Sequence, residues 1–336
     1  MRLFKRERLP NDGASIDGFW RWWATERDRV AVAIADRALD SWVEPISERV
    51  NAIDHGLAWE LSAGSSSQHA LVVSPEGDPS LRRLALAWLA AAPAADAMWE
   101  YFASRQPGPL GTLKLGEVDI DLASFRAIVS WDESRERVDV RLWHPALEGA
   151  PKDLGMRAAF LFLDNLLGED DVERWIGSID VMAAPTGGRT PDELQAEIES
   201  RAATATGHVW TLATINDGRE ESIAAVNLTV KPIDHPDCRY HVVVTVARGI
   251  EHLAGSGESE ELNAAEDRLA EMIATAGGVH LGRVTARRER RIYFMCPDAD
   301  RAKEITSTWA ATERRYDPRT EVKADPRWDI RRALGM

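Results

Sequence analysis

The order of local patterns between Tyr240 and Lys323 restricts the fold more than any other feature of the chain. Tyr240–Ala247 alternates apolar and polar residues, and Glu261–Thr275 repeats apolar residues at helical spacing. Two more alternating runs follow, Val279–Thr285 and Arg291–Cys296, either side of the basic turn Arg287-Arg288-Glu289-Arg290. After Pro297 come a helical stretch, Asp298–Ala311, and a last extended run near Thr320–Lys323. Alternation places side chains on the two faces of a strand, and three-to-four spacing places them on one face of a helix. The order is therefore strand, helix, strand, strand, helix, strand.

That order is the ferredoxin-like one, βαββαβ, an antiparallel sheet with both helices on one face. Two further strands are expected ahead of it, His208–Ile215 and Ser222–Val230, joined through the turn signal Asn216-Asp217-Gly218. Upstream, Ser15 to Asp40 reads as helix with Phe19, Trp22, Trp23, Val30 and Ile34 inward and a break near Asp28-Arg29. Its Phe19-Trp20-Arg21-Trp22-Trp23 run is read as a packing face rather than a binding surface. A second helix is expected over Glu44–Ile53, with Pro45 in its first turn. The next patterns are Leu57–Leu61, His69–Ser74, a helix Leu81–Ala92, Met98–Arg105, a short edge strand Leu113–Val118, a hairpin over Ser124–Trp143, a helix Asp153–Leu167 and Trp175–Met182. This series contains a looser, elaborated version of the same order.

The whole is an α+β chain of two domains, 1–185 and 206–336, the second ferredoxin-like. A linker helix spans 186–205, announced by Pro185-Thr186-Gly187-Gly188 and by Thr190-Pro191-Asp192-Glu193, a capping Thr, a first-turn Pro and two acids. At 336 residues each domain is long enough to bury its own core. No apolar stretch approaches the roughly 20 residues a membrane helix needs. Met1–Arg8 is basic with no apolar run behind it, which does not match a secretory signal. Two cysteines suit a reducing compartment, so a cytoplasmic protein is expected.

Net charge is −14, unevenly spread. From Gly277 onward 14 Lys and Arg face 9 Asp and Glu, a local +5, which leaves −19 on the preceding 276 residues. An acidic body disfavours nucleic acid, whose affinity comes mainly from phosphate attraction, and favours a basic protein partner.

Several residues of the second domain resemble a bacterial family catalogued as domain of unknown function 695. They are Trp210, Glu266-Asp267 followed by Leu269, Val279–Thr285, Arg291-Ile292-Tyr293-Phe294 and the terminal Asp325-Pro326-Arg327-Trp328. The half from Val279 to Trp328 is also similar to the regulator of ribonuclease E activity B, a ferredoxin-like protein inhibitor. The resemblance covers about residues 206–332 and departs from its relatives at Arg287-Arg288-Glu289 and Arg331-Arg332. It implies a ferredoxin-like fold and a regulatory role exercised through protein contact.

Candidate chemistry is sparse. His235, Cys238 and His241 lie close in sequence, and the expected sheet would bring Cys296 and His280 toward them, a set of soft ligands that zinc accepts. The same residues serve equally as packing and surface groups. Glu266-Asp267 sit about 100° apart on a helix and so do not converge on one atom; one of them is expected to pair with Arg283 or Arg291. Arg287, Arg288, Arg290 and Arg291, with Tyr293 on the open face of the sheet, make an interaction surface. No phosphate loop, dinucleotide fingerprint, nucleophile elbow or zinc-protease motif is present, so no cofactor is expected. The reading that results is a non-catalytic regulatory or interaction protein. The alternatives are an acidic immunity-type inhibitor of a basic partner and a metal enzyme centred on His235, Cys238 and His241.

Overall fold

The Trp-rich start does form a packing face. α1 (Asp12–Ala35) runs unbroken through Asp28-Arg29 and buries Phe19, Trp20, Trp23 and Val30. Trp20 donates its indole N–H to the Trp88 carbonyl at 2.9 Å and Trp23 donates to the Tyr101 hydroxyl at 3.1 Å, so both rings are buried without an orphaned donor. α2 (Asp40–Asn51) begins earlier than its pattern suggests and carries Pro45 inside. β1 (Ala58–Ala63), β2 (His69–Ser74), α3 (Pro79–Ala90) and β3 (Trp99–Phe102) complete this part. β1 and β2 pair antiparallel, and β3 returns parallel to β2 after α3. Asp78 caps α3 by accepting from Ser80 N, with Pro79 in the first turn.

The structure, a computed structural model, describes residues 12–182, 187–216, 221–248, 256–313 and 316–336. Met1–Arg8, Pro185-Thr186 and Asp217-Gly218 lie outside the described residues. Two compact units are present, one running through Pro109 and adding Leu163–Val172, the other comprising Leu110–Phe162 and Glu173 onward. The boundary expected near residue 185 thus falls within the second unit.

In the second unit, β4 (Thr112–Leu115) and β5 (Val118–Asp121) form a small hairpin where one edge strand was expected. β6 (Arg126–Asp132) and β7 (Arg137–Trp143) form the next hairpin; α4 (Lys152–Leu167) and α5 (Glu169–Trp175) lead to β8 (Ile176–Val181), parallel to β7. Hairpin, helix and a parallel third strand therefore occur twice, as β1–β3 and as β6–β8. These strands lie in separate three-stranded sheets, not in one elaborated sheet of the order anticipated for residues 1–185. α6 (Pro191–Ala202) has the expected capping box of Thr190 and Glu193. It packs by the buried Leu194 and Ile198 rather than spanning free between units, and Arg189 pairs with Ala127. The Glu136 carboxylate accepts from the backbone N–H groups of Thr206, at 2.6 Å, and Gly207, at 2.8 Å, which ties the β6–β7 turn to the residues after α6.

The remaining elements are β9 (Trp210–Asn216), β10 (Glu221–Asn227), β11 (Tyr240–Ala247), α7 (Ser256–Ala274), β12 (Val279–Thr285), β13 (Glu289–Cys296), α8 (Ala299–Thr312), β14 (Arg319–Ala324) and the short α9 (Ile330–Ala333). Six strands make one antiparallel sheet in the order β14-β11-β13-β12-β10-β9. One face, through Val242, Val244, Val246, Ile292, Phe294 and Cys296, packs on Leu262, Leu269, Ile273, Ile305 and Trp309 of α7 and α8. Gly282, at φ 153°, lies at a bulge in β12 where any Cβ would stand 2.5 Å from the Ala225 carbonyl, so only glycine lets β10 approach. Among the described residues no helix is long and apolar enough to cross a membrane.

Candidate functional site

The cysteine and histidine edge assembles only in part. Cys238 and Cys296 do approach: Cys238 donates weakly to the carbonyls of Gly277 at 3.4 Å and Met295 at 3.7 Å, while Cys296 Sγ lies beside Gly278. Both thiols are free and buried, and burial pushes each up to about 12. The histidines go elsewhere. His241 pairs across the sheet with Met295 and His280 with Phe294, neighbouring positions on β13 whose side chains take opposite faces. His241 Nδ1 lies 3.2 Å from Asp325, His280 stacks on Phe294, and His235 stacks on Trp328. Among the described residues no three His, Cys, Asp or Glu side chains are grouped to hold a metal ion.

The basic hairpin divides in the same way. Arg287 and Arg288 are exposed, but Arg290 turns inward, where its guanidinium donates to Asn263 at 2.8 Å and to Glu266 at 3.1 Å. Arg283 donates to the other Glu266 oxygen at 2.9 Å. Glu266 is thus paired with Arg283 as expected, while Arg291 pairs with Glu289 instead and leaves the second place to Arg290. Burial holds the Glu266 carboxyl above the ordinary carboxylate range, against the opposing pull of the Arg283 and Arg290 guanidiniums. Burial, helped by the Arg283 charge, holds His280 down at about 4, so it sits neutral in this group.

Tyr293 lies on the face away from α7 and α8, yet that face is not open at it. Trp328 and Leu334 fold back over Tyr293, Met295 and Cys238, and Tyr293 is only 8% exposed. The returning segment is fastened by Trp328 Nε1 donating to the Cys238 carbonyl at 2.9 Å and by Asp325 accepting from the N–H groups of Asp329 and Ile330. What remains of the face is a polar groove of about 620 Å3, into whose lining Arg291, Tyr293, Arg319 and Glu321 enter.

The least satisfied surface of the sheet is at its other end. A sheet edge presents unpaired N–H and C=O groups, and proteins ordinarily guard it with charge, proline or a bulge. β14 follows that rule with Arg319, Glu321 and Lys323. β9 is seven residues long, Trp-Thr-Leu-Ala-Thr-Ile-Asn, with no charge and no proline. Leu212 is 72% exposed, Trp210 42%, Ile215 38% and, on the neighbouring β10, Ile223 37%. The register places Ile223 opposite Thr214 and Ala225 opposite Leu212, so Trp210, Leu212 and Ile223 share one face and Ile215 lies on the other.

Beside the start of β9 is a mainly apolar cleft of about 470 Å3, lined by Trp210, Val230, Ala270, Ala274, Val279 and His280 among others. Lys231 also borders it, donating to the Glu136 carbonyl at 3.2 Å and standing 3.8 Å over the Trp175 ring; burial holds its amine down at about 8. The two-strand pattern before Tyr240 was legible, and the uncharged run Trp210–Asn216 was the available signal for this edge. The strand's place at the border of the sheet depends on pairing that the run itself does not encode. Compared with known proteins, the chain matches no family model, no curated protein and no solved structure.

Proposed function

We propose that the chain is a non-catalytic regulatory module that binds another polypeptide through the β9 edge of a ferredoxin-like domain. The strand order β14-β11-β13-β12, with α7 and α8 on one face, supports the ferredoxin-like reading, and β9 and β10 extend it by a hairpin. The observation that carries the function is the contrast between the two borders of one sheet: β14 is charged, whereas β9 is uncharged and apolar. An extended segment added to such an edge gains affinity from main-chain hydrogen bonds and specificity from pockets for alternate side chains. The cleft beside Trp210 is of a size to take an apolar side chain of the incoming strand. The resemblance of Val279–Trp328 to a protein inhibitor of a ribonuclease supports the same reading.

The experiment is affinity capture from the native host at low salt, with the wild-type chain and with Leu212→Lys. A polypeptide retained by the first and lost from the second supports the reading; identical capture profiles oppose it. A second reading, masking of a basic partner by the acidic body, rests on the −19 carried by residues 1–276. It predicts capture that ignores Leu212→Lys and is lost on raising the salt, since screening shortens the reach of surface charge.

A further inference from the structure

The large sheet has six strands, with α7 and α8 packed on one face. Helices pack about 8–10 Å apart and strands about 4.8 Å, so each helix roofs roughly two strands. α8 lies against β14 and β11, and α7 against β13 and β12, which leaves the same face of β10 and β9 beyond the helices. Trp210 stands on that face, since its ring meets His280, which stacks on Phe294 of the core beneath α7 and α8. By the register Leu212 and Ile223 share the face, all three are exposed, and Glu221 lies two residues before Ile223 on the same side. The opposite face of β10 is covered, with Ala224 and Val226 buried among Leu281, Met295 and Trp328.

α7 forms a wall along this bare strip. Ala270, Glu271 and Ala274 line the cleft that Trp210 borders, so this flank of the helix looks toward β9. Asp267, one turn before Glu271, and Glu260, about three turns before it, share the flank by helical spacing. All three acids are exposed, and among the described residues none of their carboxylates is in an ion pair or hydrogen bond. Arg283, the cation on the neighbouring β12, is already engaged by Glu266 at 2.9 Å. The strip thus has an apolar floor and an acidic wall. β9 and β10 are seven residues each, about 23 Å long, which is the length of a helix of about 15 residues. We propose that the strip between β9, β10 and the outer flank of α7 binds an amphipathic helix of a partner protein. Its apolar stripe would rest on Trp210, Leu212 and Ile223, with Lys or Arg along one flank facing Asp267 and Glu271, the way amphipathic helices fill apolar grooves. A strand added at β9 lies in the plane of the sheet and a helix lies on its face, so this contact does not depend on the edge pairing.

The test is fluorescence anisotropy of the full chain at low salt with three labelled peptides of about 15 residues. One carries Leu at i, i+3, i+4 and i+7 spacing with Lys elsewhere, one has Glu for every Lys, and one is the Lys peptide broken by a central Pro. The wild type should bind the Lys peptide saturably, and the Glu and Pro peptides at least about tenfold more weakly. Ile223→Lys, off the edge strand, should weaken the Lys peptide about tenfold. Asp267→Lys with Glu271→Lys, on the surface of α7, should weaken the Lys peptide and strengthen the Glu peptide, each about tenfold, a gain that an unfolded variant could not show. Equal binding of the Lys peptide by the wild type and Ile223→Lys overturns the proposal, as does a Pro peptide that binds like its parent. A wild-type dimer that Ile223→Lys splits would give the strip to a second copy and also overturns it. A native partner lost with Leu212→Lys but retained by Ile223→Lys and the α7 variant would leave the edge pairing standing and remove the helix. Partner loss with the α7 variant supports the helix whether or not the edge pairing is found.

Discussion

Replacing Glu266 by Gln tests whether the buried ion group under the β12–β13 hairpin holds the domain together. The change keeps the shape and removes the charge. Glu266 is 1% exposed, and its two oxygens accept from Arg283 at 2.9 Å and Arg290 at 3.1 Å. The Arg290 side chain is 4% exposed, so water cannot replace the lost carboxylate; Arg283, at 26%, is better placed to recover hydration. Breaking a buried pair by neutralising one partner costs about 3–5 kcal/mol. Taking the lower figure for the partial exposure of Arg283, and a urea slope of about 3 kcal/mol per molar, the midpoint should fall by roughly 1 M with the slope unchanged. The double variant Glu266→Gln with Arg290→Met should recover much of the loss, because a removed pair costs far less than a broken one. A midpoint shift under about 0.3 M for Glu266→Gln, or a double variant less stable than the single, refutes this reasoning.

Two further predictions concern buried titrating groups. His280 is held at about 4 in the fold against an ordinary value of 6.5, so the unfolded chain binds its proton first as pH falls. Stability should therefore drop between about pH 6.5 and 4, by an amount on the order of 3 kcal/mol for this residue. His280→Phe, which can keep the stack on Phe294 and the tilted contact with Trp210, should flatten that part of the pH profile; an unchanged profile would exclude His280 as its source. Cys238 and Cys296, pushed up to about 12, should not react with an aromatic disulfide reagent at pH 8 until the chain is unfolded, when both should. Rapid reaction in the native protein would mean that the thiols are accessible as thiolates, as the metal reading requires.

Local pattern disclosed most of the elements because each is encoded within its own few residues. The β11–α7–β12–β13–α8–β14 series lies close to its expected bounds, and the Thr190 capping box and the Asp298 cap are written directly in the sequence. Long-range pairing was not legible. β2 and β7 each take a third strand parallel across a helix, and nothing local distinguishes two small sheets from one elaborated sheet. The candidate site failed for a related reason. Alternation correctly put Tyr293 and Phe294 on opposite faces, but only the return of Trp328 and Leu334 decides that Tyr293 is covered. Alternation also places His241 and His280 on opposite faces once the β11–β13 and β12–β13 registers are known, and register is a property of strand pairs. Arg290 pairs inward because even-numbered positions of β13 face α7, a parity that the basic run Arg287–Arg291 does not reveal by composition.

The central claim, that another polypeptide docks on the β9 edge, is tested most directly by photo-crosslinking in the native host. A photoreactive phenylalanine analogue replaces Leu212 on β9 in one chain and Arg319 on β14 in another, both exposed positions at the two borders of the same sheet. A discrete covalent adduct with another polypeptide at position 212, and none at position 319, is the predicted result. No adduct at position 212, or equal labelling at both borders, would contradict it.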